Sequence, residues 1–288
     1  MLSSVIRLLR LHQWVKNLLI FIPAFFAGNI LDSSAINLIL CFLSFSFVAS
    51  SVYIVNDIVD SPLDKLHPRK RFRPIANGEI SRNTALLFFG FCLLFGIGLS
   101  FLVSLNLTWV LLAYLVINLL YSWKLKQIVI IDLIILATGF LLRIYAGGIA
   151  ASVPISNWLL LMIFLLAVFV GLAKRRDDLL LLEVSGITVR KGIQSYTKRH
   201  IDIGMVSISL IAVLSYIMYT ISPEVVARIG NENLYWSASF VIVGIARYMH
   251  LTWVKQKSGS PIRILLGDPL LLLIILLWVL FFVFSIYI

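Results

Sequence analysis

Apolar runs of about twenty residues, broken by short polar stretches, recur along the whole chain. Each run is long enough to cross about 30 Å of hydrocarbon as a helix. The pattern predicts nine such spans, at 14–31, 35–55, 84–104, 107–122, 128–150, 157–173, 203–221, 235–253 and 264–287. The expected fold class is therefore all-α: one polytopic membrane domain over 1–288, with polar loops near 56–83 and 174–201.

Composition agrees with the pattern. Hydrophobic residues make up 61% of the chain and charged ones only 13%, and the mean hydropathy is +1.02, which excludes an ordinary soluble domain. Cys41 and Cys92 each lie inside an apolar run with no second Cys or His at ligand spacing, so they read as small core residues. Basic residues ahead of the first run mimic a signal peptide. No small-residue cleavage site follows, however, and the run carries Lys16, so the segment is expected to be retained.

Charge changes the picture by giving the spans a direction. Arg7, Arg10 and Lys16 precede or open the first span; Lys65, Arg69, Lys70, Arg71, Arg73 and Arg82 follow the second; Lys124 and Lys126 follow the fourth. Lys174, Arg175, Arg176, Arg190, Lys191, Lys198 and Arg199 follow the sixth, and Arg247, Lys255, Lys257 and Arg263 follow or close the eighth. The opposite connections hold only Arg228. By the positive-inside rule this places the N-terminus and both long loops in the cytoplasm, in a cell inner (plasma) membrane. The net charge of +11 is thus one-sided. With no soluble domain to hold a nucleic acid, it points to membrane lipids or a phosphorylated small substrate as partner.

The densest charge lies in "NDIVDSPLDKLHPRKRFRPI", residues 56–75. Asp57, Asp60 and Asp64 are spaced i, i+3, i+7, which on a helix spreads them over only about 60°. Pro62 is expected to kink or end that helix and leave Asp64 on the turn beyond. Three carboxylates converging with no protein cation between them repel, and a hard divalent cation relieves this. Magnesium suits the site because it prefers a few carboxylates plus substrate phosphate oxygens. The expected metal set is Asn56, Asp57, Asp60 and Asp64, with Lys70, Arg71 and Arg73 as phosphate donors. The plainer reading is a positive-inside loop with incidental acids.

"NDIVDSPLD" resembles the NDxxDxxxD motif of the UbiA-type polyprenyl transferase superfamily, nine-helix membrane enzymes that bind a diphosphate through magnesium. "LHQWVKNLLIF", "HPRKRFRPIANGEIS", "YSWKLKQIVIIDLIILATGFLLRIYAGG", "AKRRDDL" and "RKGIQSYT" narrow the resemblance to its decaprenyl-phosphate phosphoribosyltransferase branch. These blocks cover the first six spans and the loop beyond, while the last third matches through hydropathy and short patches such as "ARYMHL" and "LLGDPLLL". Leu11 stands where the branch has a proline after its opening arginine. Where aromatic prenyltransferases carry a second aspartate-rich motif, this chain has Lys174, Arg175 and Arg176 ahead of Asp177 and Asp178. Fixed cations in place of a second metal set suit a donor with an extra phosphate, and phosphoribosyl pyrophosphate is one. An ordinary basic helix end is the alternative.

Asp132 and Arg143, eleven residues apart, fall about 20° apart around the fifth span and about 16 Å apart in depth, so both are expected to face one cavity open to the cytoplasm. An arginine near mid-membrane needs a function or a buried partner. Lys16, Asn17, Tyr121 and Lys126 are further candidates for substrate contact. Tyr121 reads equally as an interfacial aromatic, and Trp14 as packing. His12, His67, His200 and His250 show no metal-ligand spacing.

The resulting expectation is a magnesium-dependent membrane transferase moving 5-phosphoribose from phosphoribosyl pyrophosphate to a polyprenyl phosphate, a decaprenyl-type chain being implied by the resemblance alone. Asp57, Asp60 and Asp64 carry the catalytic role. Small-residue helix faces leave a homo-oligomer open. Two alternatives stand: an aromatic prenyltransferase using a prenyl diphosphate, and a transporter of an anionic substrate.

Overall fold

A computed structural model describes residues 2–32, 34–66, 70–123, 125, 128–185, 197–254, 264–265 and 267–288. Every regular element among them is helical. Among the described residues seven helices are long and apolar enough to cross a membrane, against the nine expected spans, as in a multi-pass membrane protein. The chain divides into two compact units, Met1–Ile155 and Ser156–Ile288.

In the first unit, α1 (Leu2–Leu9) leads into a 3-10 helix (Leu11–Phe21) and then α2 (Ile22–Ala27). The first expected span is thus a broken element and not one long α-helix. Eleven residues of 3-10 helix is unusual, and the reason lies in its fit to α3 (Ala35–Asp64). Three residues of 3-10 helix and four of α-helix both rise about 6 Å. Positions 14, 17 and 20 therefore keep pace with every fourth residue of α3. Trp14 donates to Ser50 Oγ at 3.0 Å and Asn17 to Ser46 Oγ at 2.8 Å, while Ile20 is fully buried. Trp14 also meets Phe42 and Phe47 edge-on, so it serves packing.

α4 (Arg82–Val103), α5 (Leu105–Trp123) and α6 (Val129–Ala151) complete this unit. Its core joins the 3-10 helix, α3, α5 and α6 through Ile20, Phe45, Val48, Leu111 and Ala146. Gly147 allows the close approach of α6, because a Cβ there would stand 2.0 Å from the carbonyl oxygen of Ile20. α4 turns Leu87, Leu94 and Leu102 outward, as a lipid-facing helix does.

The second unit holds α7 (Asn157–Ser185), α8 (Lys198–Thr220), α9 (Pro223–Ile229), α10 (Ser237–Trp253) and α11 (Pro269–Tyr287). α7 packs on α8, and α10 on α8 and α11. The eighth expected span falls on the seventeen residues of α10. α8 opens on Thr197, whose hydroxyl accepts from the His200 N–H at 3.2 Å. α11 opens on Asp268, which accepts from the Leu271 N–H at 3.0 Å, with Pro269 at its first position.

Candidate active site

α3 has thirty residues, about 45 Å of helix, so its C-terminal turns outrun the hydrocarbon and carry Asn56, Asp57, Asp60 and Asp64. Pro62 does not end the helix where expected. The α-helix runs on to Asp64, and the Lys65 N–H still reaches the Ser61 carbonyl at 3.3 Å. The proline sits two residues from the end, and Asp64 is held from outside by Arg73, which fixes the last turn.

Two peptides cover this helix end. One is the junction of α1 and the 3-10 helix, where Arg10 adopts a left-handed backbone, φ 52° and ψ 47°, unusual for a non-glycine residue. Its guanidinium bonds Asp57 and lies over the Tyr53 ring, 5.1 Å from the centroid. The other is the loop through the 3-10 turn Lys70–Phe72, closed by Arg73 N–H to Lys70 O at 2.9 Å, Asn77 N–H to Arg73 O at 2.9 Å and Ile80 N–H to Pro74 O at 3.0 Å. Gly78, at φ 81°, allows the turn.

The Arg73 NH1 nitrogen lies 3.0 Å from Asp57 Oδ1 and 2.6 Å from Asp64 Oδ2. Both carboxylates are almost wholly buried, at 2% and 3% exposure. Asp57 and Asp64 therefore converge, but protein cations stand between them, contrary to the sequence expectation. Sequence spacing along α3 could not show that two distant peptides return over its end. Asn56 and Asp60 lie half-buried beside them. Among the described residues no three His, Cys, Asp or Glu side chains gather closely enough to form a metal cage. Two buried carboxylates aimed at one positive group still fit magnesium, which takes few protein ligands and completes its shell with water and phosphate. Lys70 is half-buried, and Arg71 is exposed with its guanidinium 4.9 Å from the Phe72 ring centroid.

A clamp holds α1 to the same loop. Glu79 accepts from Arg7 and, at 2.6 Å, from Ser4 Oγ and Asn77 Nδ2. The Arg7 guanidinium, then Ser4 and Asn77, pull the Glu79 carboxyl down to about 2.

Deeper in the unit, Arg143 is 4% exposed. It donates through Nε to Asn17 Oδ1 at 2.7 Å, through NH1 to the Gly139 carbonyl, and through NH2 to Tyr114 OH at 3.3 Å. Its guanidinium carbon lies 4.8 Å and 5.1 Å from the ring centroids of Phe45 and Tyr114. The mid-membrane arginine thus has a buried cage of neutral oxygens and aromatic faces. Lys16, next to Asn17, is half-buried. Asp132 does not share the Arg143 cage: it is 3% exposed and accepts from Tyr121 OH at 2.7 Å. The Lys126 candidate lies outside the described residues.

In the second unit, Arg175 donates to Asp178 at 2.5 Å, and Arg176 donates to Asp202 at 2.7 Å and to the Thr252 carbonyl at 3.0 Å. Both arginines are buried, and Lys174 is half-buried. Of the α7 cations expected to hold phosphate, two guanidiniums therefore turn inward onto acids of their own unit.

Arg10 is the site residue that sequence reasoning passed over. The signal was its place immediately ahead of "LHQWVKNLLIF", the first matched block.

The profile of the UbiA prenyltransferase family matches residues 17–266. A decaprenyl-phosphate phosphoribosyltransferase of Corynebacterium glutamicum is 32% identical, over 99% of this chain and 87% of its own length. Another, of Mycolicibacterium smegmatis, is 31% identical over 97% and 91%. The solved UbiA homologue of Archaeoglobus fulgidus bound to GPP and Mg2+ has a TM-score of 0.73 at 19% identity, over 99% of this chain and 100% of that one, a likeness of fold.

Proposed function

The chain belongs to the UbiA prenyltransferase family, and from that premise we propose that it moves 5-phosphoribose from phosphoribosyl pyrophosphate to a polyprenyl phosphate, releasing pyrophosphate. The observation that carries the reading is the α3 mouth, where two buried carboxylates and two guanidiniums meet beside the Lys70 and Arg71 turn. Near-full-length similarity to the phosphoribosyltransferases supports this donor over a prenyl diphosphate.

Asp57 and Asp64, with Asn56 and Asp60 beside them, would hold magnesium, which when bound neutralises charge on a departing diphosphate. Arg73, Lys70 and Arg71 would donate to the phosphate oxygens and hold the leaving group in place. A phosphate oxygen of the lipid attacks the anomeric carbon from the face opposite the pyrophosphate, which leaves with the bonding pair, so the configuration inverts. A lipid phosphate is already anionic at neutral pH, so the reaction needs no strong general base. This accounts for a site built, among the described residues, of acids and cations. The mouth is proposed to face the cytoplasm of an inner membrane, with the isoprenoid tail in the hydrocarbon.

The test is transfer by purified protein in detergent from radiolabelled phosphoribosyl pyrophosphate to decaprenyl phosphate with magnesium, omitting each in turn. A lipid-soluble labelled product requiring all three is expected. Absence of that product, together with prenylation of an aromatic acid from geranyl diphosphate, would overturn the assignment.

A further inference from the structure

The charges at the end of α3 are shared and balanced. Asp57 and Asp64 face Arg10 and Arg73, and a single Arg73 nitrogen contacts both acids. A divalent cation brought to the same carboxylates meets that nitrogen where it would bind, and the local charge becomes strongly positive. One guanidinium has to leave, or an anion has to arrive, and the two arginines differ in how readily they can move.

Arg10 is fixed. Its left-handed backbone forms the junction of α1 with the 3-10 helix, and its guanidinium is stacked over Tyr53. Among the described residues the Arg73 side chain meets the two carboxylates and no aromatic ring, its backbone is held in the hydrogen-bonded loop, and the side chain is 23% exposed against 17% for Arg10. The side chain can swing from the carboxylates toward solvent without unfolding the loop, carrying five N–H donors to the place where phosphate arrives.

We propose that Arg73 is an exchangeable counter-ion, holding Asp57 and Asp64 together in the absence of a divalent cation and moving onto the substrate diphosphate when one binds. Metal and diphosphate then load as a coupled pair, each favouring the other by the same factor. The free protein keeps its acids neutralised and is protected from holding metal without substrate. The inference rests on the metal–diphosphate reading of this mouth and not on the group that the diphosphate carries.

The test uses the purified full-length protein, Mn2+ as a paramagnetic stand-in at an oxygen-donor site, and inorganic pyrophosphate. Bound Mn2+ is read from the loss of the free-ion EPR signal. Without pyrophosphate, Arg73→Gln is expected to bind Mn2+ about tenfold more tightly than the wild type. Pyrophosphate is expected to tighten wild-type Mn2+ binding by about tenfold and that of Arg73→Gln by much less. Arg73→Lys keeps the charge and is expected to stay near the wild type in the absence of pyrophosphate, which separates charge exchange from a folding defect. The proposal is overturned if Arg73→Gln binds Mn2+ no more tightly than the wild type, or shows an equal gain with pyrophosphate. Wild-type protein that takes up no Mn2+ even with pyrophosphate overturns the metal reading as well. Coupled Mn2+ and pyrophosphate binding without phosphoribosyl product upholds the exchange and overturns the substrate assignment alone.

Discussion

Arginine–aspartate pairs occur in both units, but they are wired differently. At the end of α3 the charges are shared: Asp57 takes two arginines and Arg73 serves two aspartates. Among the described residues of the second unit, three arginines each bond a different aspartate, Arg175 with Asp178, Arg176 with Asp202, and Arg247 with Asp268. A closed pair has nothing to gain by opening, since removing one partner strands the other. A shared cluster can be redistributed when a ligand brings its own charge. The first wiring suits a binding site and the second suits a strut.

The largest effect that would sharpen this contrast is expected from Asp60→Asn. Transfer should fall at least about 100-fold, the order seen when a transition-state stabiliser is lost, with membrane insertion retained. Steady-state assay with thermal unfolding in detergent checks it. On the strut side, Arg176→Ala leaves Asp202 without its cation and Thr252 without a donor. A loss of about 1–3 kcal/mol is expected, read as a lower unfolding midpoint with turnover per folded molecule retained.

Arg143 is a third arrangement, a buried cation with neutral partners. Asn17→Ala removes the acceptor of Nε and should cost about 1–3 kcal/mol. An equal stability of variant and wild type would mean that the aromatic faces suffice.

The smallest effect concerns the exposed clamp. The Glu79 carboxyl is depressed from its ordinary 4.5 to about 2, chiefly by Arg7. Its contribution is therefore complete above pH 4.5 and is lost as pH falls toward 2. The protection of α1 amides against hydrogen exchange, taken relative to the intrinsic rate at each pH, should fall between pH 4.5 and 2, and Glu79→Gln should show reduced protection at neutral pH as well. Protection that stays constant in acid would show that Glu79 does not hold α1.

Much of this was legible from the chain. Hydropathy marks α3 to α8 and α11, since each long helix must satisfy its backbone internally and turn apolar side chains to lipid. The acids of residues 56–64 announce themselves by spacing. The 3-10 helix did not, because hydropathy cannot distinguish three residues per turn from 3.6, and its cause is a register with Ser46 and Ser50 of α3. Pairing was hidden for the same kind of reason. Arg10 lies 47 residues from Asp57 in sequence, and Arg143 lies 126 from Asn17. Charge along a chain states what is available, and only the fold states which charge is already answered.

The most direct test compares one aspartate of each kind, Asp57→Asn and Asp268→Asn, for turnover per folded molecule and unfolding midpoint. Asparagine can still cap α11, so the second change removes the charge that pairs with Arg247. Turnover should fall at least about 100-fold in Asp57→Asn and stay within about twofold of wild type in Asp268→Asn, whose midpoint alone should drop. Retained turnover in Asp57→Asn, or an equal loss in Asp268→Asn, would contradict the distinction between shared and closed charge.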